Sequence, residues 1–348
     1  MLDSGAYTAS RKGKVIDLDQ YAEFVKNKSQ DFEACINLDV IGNGEASYKN
    51  WKYLRGKGIN TIPVYHAATD EVWLQKYLRH TDYIALGAIA NLATKQRRDA
   101  FHNLWIKYFL DEKGFPKVRV HGLGLTAIPI MFRYPWYSLD SFTPVISAVW
   151  GSVLLPLVRD NDFRYFGVLK DEKKSWIGMS IYRISDQAVH TVGTTSSYTT
   201  LKPYLTDRYE SFIKENGFTL GKIYYQKIRP RRGKKEKIES EQKLFSLIEE
   251  PLDTKERTLA NHWEERMRWN LTMWTKLQER APIYPRKFDE PFPKEESIIE
   301  GKKTIMYMGV STTTHLEIFN KVTPKLDILI SFAYLNDNIS KMIKKYVK

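Results

Sequence analysis

Apolar residues in the first part of the chain alternate between two spacings. Leu18 to Lys28 carries them at the helical interval, with Tyr21, Phe24 and Val25 on one face. Phe32 to Ile41 predicts a strand that ends in Asn37-Leu38-Asp39. A helix is expected from Tyr48 to Lys57, stopped by Gly58, and a strand from Thr61 to His66. Val72 to His80 predicts a helix and Tyr83 to Ile89 a strand. A long helix over Thr94 to Lys113 is ended by Gly114 and Pro116. Val118 to Gly122 and Tyr137 to Ser141 are the next strands. Single helices between strands imply βα units and a parallel sheet. Neither phosphate-binding glycine pattern is present: Gly122-Leu123-Gly124 lacks a third glycine, and Gly42-Asn43-Gly44 lacks the rest of its motif. Polar or small residues instead recur at strand C-terminal ends, at Asp3, Asp39, His66, Gly87, His121 and Asp140. That is where a (β/α)8 TIM barrel builds its site, so an α/β barrel is the expected fold.

The pattern changes near Ser147. Short aromatic-rich strands are expected to about Val192 and a helix from Tyr204 to Asn216. A basic run follows from Lys227 to Lys237, then a largely helical stretch from Glu241 to Gln278. Pro282 to Lys302 is a Pro- and charge-rich linker. Strands are expected at Thr304 to Val310 and Leu326 to Tyr334, with a helix at Thr314 to Lys321 between them. The expected organisation is residues 1–146 as barrel units, 147–303 as an inserted β-rich and helical basic region, and 304–348 as a βαβα segment completing the barrel. The apolar stretch Phe142 to Val158 is interrupted by Pro144, Gly151 and Pro156, so it predicts buried core and no membrane contact.

Charge adds a partner. Lys and Arg number 54 against 41 Asp and Glu, a formal net charge of +13, which suits a nucleic acid. Lys227, Arg229, Arg231, Arg232, Lys234 and Lys235 in the basic run, and Arg266 and Arg268 in the helix, are the candidate phosphate contacts. A solvated loop and helix-packing residues are their ordinary alternatives. Cys35 is the one cysteine, which excludes an internal disulfide and any site needing two thiolates. It also fits a reducing cytoplasm, and no secretory signal is expected at the start.

Asp3-Ser4-Gly5-Ala6-Tyr7 sets a carboxylate on a turn beside small residues and an aromatic ring. That combination suits proton transfer to a flat heterocycle. It resembles the Asp-Ser-Gly-Gly-Phe/Tyr motif of tRNA-guanine transglycosylases, and further matches follow in the same order. Leu38-Asp39 falls where that family carries a base-recognising Asp, and Leu86-Gly87-Ala88 resembles its Gly-Gly-Leu. His121-Gly122-Leu123-Gly124 resembles the strand end whose side chain stacks under the base. Leu139-Asp140-Ser141 resembles the segment with the nucleophilic Asp. The start at Leu2 and the segment Tyr134 to Ser141 resemble in particular the phage and bacterial relatives that insert 7-deazaguanines into DNA. The zinc site of the tRNA enzymes cannot be built with one cysteine, so the resemblance implies the zinc-free, DNA-acting branch. The family places two strands before its Asp-Ser-Gly strand. Ile305 to Val310 and Ile328 to Tyr334 fit that pattern, so a circularly permuted barrel is expected, with Ile328 to Tyr334 beside Met1 to Gly5. The alternative is that those strands are encoded ahead of Met1 and the C-terminal segment is an unrelated hairpin.

The resemblance implies exchange of guanine for a free 7-deazaguanine such as the 7-cyano form, without cofactor or metal. A phage-encoded protein would act in the host cytoplasm. Asp140 would be the nucleophile at C1′ and Asp3 the general acid/base. Asp39 would read the guanine N1 and amine, the Gly87 N–H would address O6, and Tyr7 and His121 would sandwich the ring. Ser4, Gly5, His66 and Gly122 would line the site. Each residue also has an ordinary reading, as turn, cap, packing or core residue. The alternatives are exchange in tRNA, nucleoside or glycoside hydrolysis by the same carboxylates, and a non-catalytic nucleic-acid-binding barrel.

Overall fold

The computed structural model describes residues 1–87, 95–125, 127–156, 179–184, 196–198, 201–223, 256–279, 281–288, 302–322 and 327–334. Its strands, in chain order, are β1 Leu2–Asp3, β2 Val64–His66, β3 Tyr83–Gly87, β4 Arg119–Gly122, β5 Ser138–Ser141, β6 Ser152–Pro156, β7 Met179–Arg183, β8 Ser196–Ser197, β9 Ile283–Tyr284, β10 Lys302–Lys303, β11 Ile305–Val310 and β12 Ile328–Ser331. The chain divides into two compact units. One holds residues 1–142 and 275–348 (with 166–178, outside the described residues). The other holds 143–165 and 179–274. The division thus falls a few residues before the expected 146/147 boundary, and residues 275–303 group with the first unit.

The first unit is built on a seven-stranded parallel sheet in the order β1-β12-β11-β5-β4-β3-β2. Residues 34–37 hydrogen-bond β1 on one side and, on the other, Ile62, two residues before β2. Leu2 N–H donates to Ala34 O and Ile36 N–H to Leu2 O. Asn37 N–H donates to Ile62 O and Ile62 N–H to Cys35 O, each at 2.8 Å. The expected strand over Phe32 to Ile41 is reduced to these bridges at Cys35 and Ile36. Ile328 to Ser331 does lie beside the chain start: Leu2 pairs with Ile330 and Asp3 with Ser331.

Burial explains the curl of the sheet. One core cluster gathers Val64 and Ala85 from one side of the sheet, Tyr307 and Leu329 from the other, and Ile36 from the bridging segment. Side chains so far apart in strand order meet only if the sheet wraps around them. A second cluster, with Leu2, Tyr21, Val25, Leu38 and Leu54, packs the helices Leu18–Lys28 and Gly44–Gly56 outside the strands. Each such side chain contributes about 1.5–3 kcal/mol on burial. Asp17, Asn43 and Asp70 cap three of the helices by accepting from the N–H of Gln20, Ala46 and Val72. The expected long helix after β3 is α-helical over Lys95–Leu104, continues as a π-helix over Trp105–Phe109, and ends where Leu110 bridges Pro116.

Gly5 is left-handed, at φ 79°. A Cβ there would lie 2.7 Å from Ala333 N and 2.6 Å from Ala333 Cβ. Gly5→Ala therefore combines backbone strain with a clash against main chain that cannot swing aside. A loss of about 2–4 kcal/mol in unfolding free energy is expected in a denaturant titration. A loss below half a kcal/mol would show that this turn has room to relax.

The second unit has a three-stranded sheet in the order β6-β7-β8, with β6 antiparallel to β7. Helices Thr143–Val149, Pro203–Glu215 and Trp263–Gln278 accompany it. Trp269 Nε1 donates to Leu154 O at 2.7 Å, and Asn270 brackets β6 through Leu154 N and Ser152 O. Of the helical stretch expected over Glu241 to Gln278, Trp263–Gln278 is helix and 256–262 is not, while 241–255 lie outside the described residues. No helix among the described residues is long and apolar enough to cross a membrane.

Candidate functional site

All strands of the large sheet are parallel, so their C-terminal ends share one edge of it. Asp3, His66, Gly87, His121, Gly122 and Asp140 lie at or next to those ends. Asp39 follows the bridging segment, and Ser4 Oγ donates to its Oδ1 at 3.3 Å. The charges of Asp140 and Asp39 are both felt at Asp3, so the two lie within electrostatic reach of it.

Asp3 is the most perturbed of them. Burial, then the charges of Asp140 and Asp39, push its carboxyl up to about 7. Donation from Gly5 N–H at 3.2 Å and the nearby Ser331 hydroxyl pull weakly the other way. The residue keeps partial solvent access. A carboxyl that holds a proton near neutrality and can exchange it suits a general acid/base.

Asp140 is held on one side. Its Oδ1 accepts from Gly124 N–H at 2.9 Å and lies 3.2 Å from His121 Nε2. Its Oδ2 takes no hydrogen bond from the described residues. Asp39 is held on both oxygens, by Ser4 on Oδ1 and by His66 Nε2 on Oδ2 at 2.9 Å. His66 Nδ1 accepts from Gly42 N–H at 3.1 Å, so the proton of the neutral ring sits on Nε2, aimed at Asp39. Each Asp39 oxygen retains a second lone pair for a ligand.

Several expected contacts take other roles. His121 has no accessible surface, so its ring has no stacking face to offer; it is committed to Asp140 and to Ser138 Oγ at 2.8 Å. Gly122 is a packing glycine: a Cβ would press on Leu139 and Trp136. Gly87 makes room for His66, whose Cδ2 would lie 2.5 Å from a Cβ there, and its carbonyl accepts from Ala67 N–H. Tyr7 is 67% exposed in the short helix after Gly5, free for a stacking partner.

Arg266 requires a correction. It is buried, and its guanidinium donates to the carbonyls of Ala148, Leu259 and Ala260, so it ties down the second unit's core and has no face for a phosphate. Arg268 is half-exposed, paired with Glu265 at 3.0 Å and lying over Phe218. Lys227, Arg229, Arg231, Arg232, Lys234 and Lys235 lie outside the described residues.

The chain pattern missed Ser138 and Tyr83, whose hydroxyls are 2.9 Å apart. Ser138 stands two residues before Asp140 and so shares its face of β5; that spacing is a signal a sequence carries. Among the described residues no three His, Cys, Asp or Glu side chains are grouped to hold a metal ion. Comparison with protein-family models, curated proteins and solved structures found no match to this chain.

Proposed function

We propose that this protein is a DNA guanine transglycosylase, exchanging guanine for a 7-deazaguanine through a covalent intermediate on Asp140. The observation that supports it is the pairing of two carboxyls: Asp3 retains a proton near neutrality while Asp140, whose charge helps keep it there, has one oxygen that takes no hydrogen bond from the described residues. A carboxyl that holds a proton near neutrality, beside a second carboxyl able to attack, is what a retaining exchange at a glycosidic carbon needs. The likeness of the ordered motifs to the transglycosylases supports guanine as the base, and the net charge of +13 supports a nucleic acid.

We further infer that the seven strands and the bridging residues 34–37 form a closed eight-membered ring, the (β/α)8 barrel, permuted relative to the family order. Hydrogen bonds between that segment and both β1 and Ile62, two residues before β2, support the closure.

In the first half-reaction Asp140 Oδ2 attacks C1′, the bond from C1′ to the base nitrogen breaks, and Asp3 gives its proton to the departing guanine. Asp39 and the Ser4 turn orient the base by accepting its N1–H and amine protons. In the second half, the entering base gives its ring N–H proton to Asp3. Its nitrogen displaces Asp140 from C1′, and the enzyme returns to its starting state. One glycosidic bond replaces another, so no nucleotide triphosphate is consumed. The target nucleotide must leave the stack or come from single-stranded DNA for C1′ to be reached.

Nucleoside mass spectrometry after incubation with 7-cyano-7-deazaguanine and DNA or tRNA tests this. A modified deoxynucleoside with release of one guanine is the expected result. A modified ribonucleoside alone would move the substrate to tRNA. Base release without insertion would make the protein a hydrolase, and no change in either nucleic acid would leave it a binding protein.

A further inference from the structure

We propose that His121 is the positioning residue of Asp140: a neutral imidazole, locked in its Nε2–H form by Ser138 and Tyr83, that pins one carboxylate oxygen and leaves the other to attack. What Asp140 does rests on the base-exchange reading; how Asp140 is held rests on geometry alone.

The geometry follows from register. Ser138 and Asp140 are two residues apart on β5, so their side chains leave the same face. His121 on β4 is the cross-strand partner of Ser138. Its ring therefore spans both, with Nδ1 at 2.8 Å from Ser138 Oγ and Nε2 at 3.2 Å from Asp140 Oδ1. A carboxylate only accepts, so Nε2 carries the proton. In the neutral ring Nδ1 is then a lone pair, which Ser138 Oγ–H fills. Ser138 Oγ can in turn accept from the Tyr83 hydroxyl at 2.9 Å. Burial holds the Tyr83 phenol well above its usual value, so it remains a donor. With the Tyr83 hydroxyl as donor, every donor in the chain Tyr83, Ser138, His121 points toward Asp140.

Two consequences follow. Oδ1 is fixed by two N–H groups, from His121 and Gly124, which sets the carboxylate torsion and aims Oδ2. A neutral His121 also leaves the charge on Asp140 uncompensated, and that charge helps Asp3 keep its proton. Facing the His121 and Asp140 end of this network are Asp3 on β1 and Tyr307 on β11. The Tyr307 ring lies 6.1 Å from that of His121, and its hydroxyl is engaged by Glu33. At the Tyr83 end the network meets the Arg119 guanidinium, 4.9 Å over the Tyr83 ring, and the Tyr137 ring at 5.2 Å.

The test has two arms. In the unmodified protein, nitrogen-15 NMR at about pH 8 is expected to show His121 as the Nε2–H tautomer, with slow exchange of that proton. A His121 that carries its proton on Nδ1 there overturns the proposal whatever the reaction proves to be. In exchange kinetics, His121→Leu is expected to lower kcat by about 100-fold with KM within about threefold. His121→Gln, whose amide reaches the Nε2 position, should recover to within about tenfold of the native rate. An unchanged kcat in His121→Leu, or a loss confined to KM, overturns it, the latter because the ring would then be touching substrate. If His121→Leu fails to fold, the native tautomer and His121→Gln decide. Absence of any exchange by the native protein would refute the base-exchange reading and leave the NMR arm standing as the test of positioning.

Discussion

Asp140→Asn is expected to abolish base exchange, lowering kcat by about 10⁴-fold or more. The change is nearly isosteric, and the amide oxygen can still accept from Gly124 and His121, so the fold should survive. A neutral amide is, however, a poor nucleophile toward C1′. Three readings separate cause from collapse. The denaturation midpoint should stay close to native. No covalent protein–DNA adduct should be trapped in a single turnover, where the native protein gives one. The Asp3 carboxyl, relieved of a neighbouring charge, should titrate lower than in the native protein, because Asp140 is the largest electrostatic cause of its elevation after burial. Retention of the native rate would remove Asp140 as nucleophile and with it the covalent mechanism.

Asp3→Asn should separate activity from stability. The folded carboxyl is raised to about 7, against about 4 in an unfolded chain, so the folded protein binds the extra proton between those values. Stability from this group is therefore complete below about pH 4, falls as pH rises, and reaches its floor above about pH 7. The full difference is on the order of 2–4 kcal/mol, the lower end reflecting the residue's partial exposure. Asparagine stays neutral and has no such slope. The variant should match the native protein near pH 4, exceed its unfolding free energy by that amount at pH 8, and lose at least about 100-fold in turnover. In the native protein, guanine release should decline above pH 7 as Asp3 loses the proton it must donate. Parallel stability curves for native and variant protein across this range would show that Asp3 is solvated like a surface carboxylate, and the acid/base role would go with it.

The strands of the large sheet were legible because they are short apolar runs bounded by glycines, prolines and charges. Tyr137 to Ser141 and Thr304 to Val310 were read to within a residue of Ser138–Ser141 and Ile305–Val310, and Leu18 to Lys28 coincides with the observed helix. Short helices were not legible. Ala6–Arg11 is one and a half turns held by the Gly5 cap, and Ile128–Arg133 starts at a proline; neither spans enough residues to show a period. At the site, the carboxyl positions could be read, but the partners could not. Whether His121 stacks on a ligand or binds Asp140 depends on cross-strand register with Ser138, which no local pattern encodes. Arg266 misled because a helix rich in Trp and Arg suits a phosphate contact and a buried backbone clamp equally well; only the carbonyls of Ala148, Leu259 and Ala260 distinguish them.

The pairing of β1 with β12 also bears on how the protein folds. Met1 N donates to Ile328 O, a contact that closes 327 residues of chain. By chain-entropy scaling, a direct closure of that length costs roughly 5 kcal/mol, about twice the cost of joining strands some twenty residues apart. The pairing of β1 with β12 is therefore reached at least cost one βα step at a time, with the long closure shortened by structure already formed. Asp3 belongs to the strand that makes that closure. Its neighbours Asp39 and Asp140 come from early and middle steps, and Ser331 from the last. The elevated proton affinity of Asp3 is thus a property of the completed sheet, and a chain stalled one strand short would hold the same three carboxyls without the surroundings that raise it.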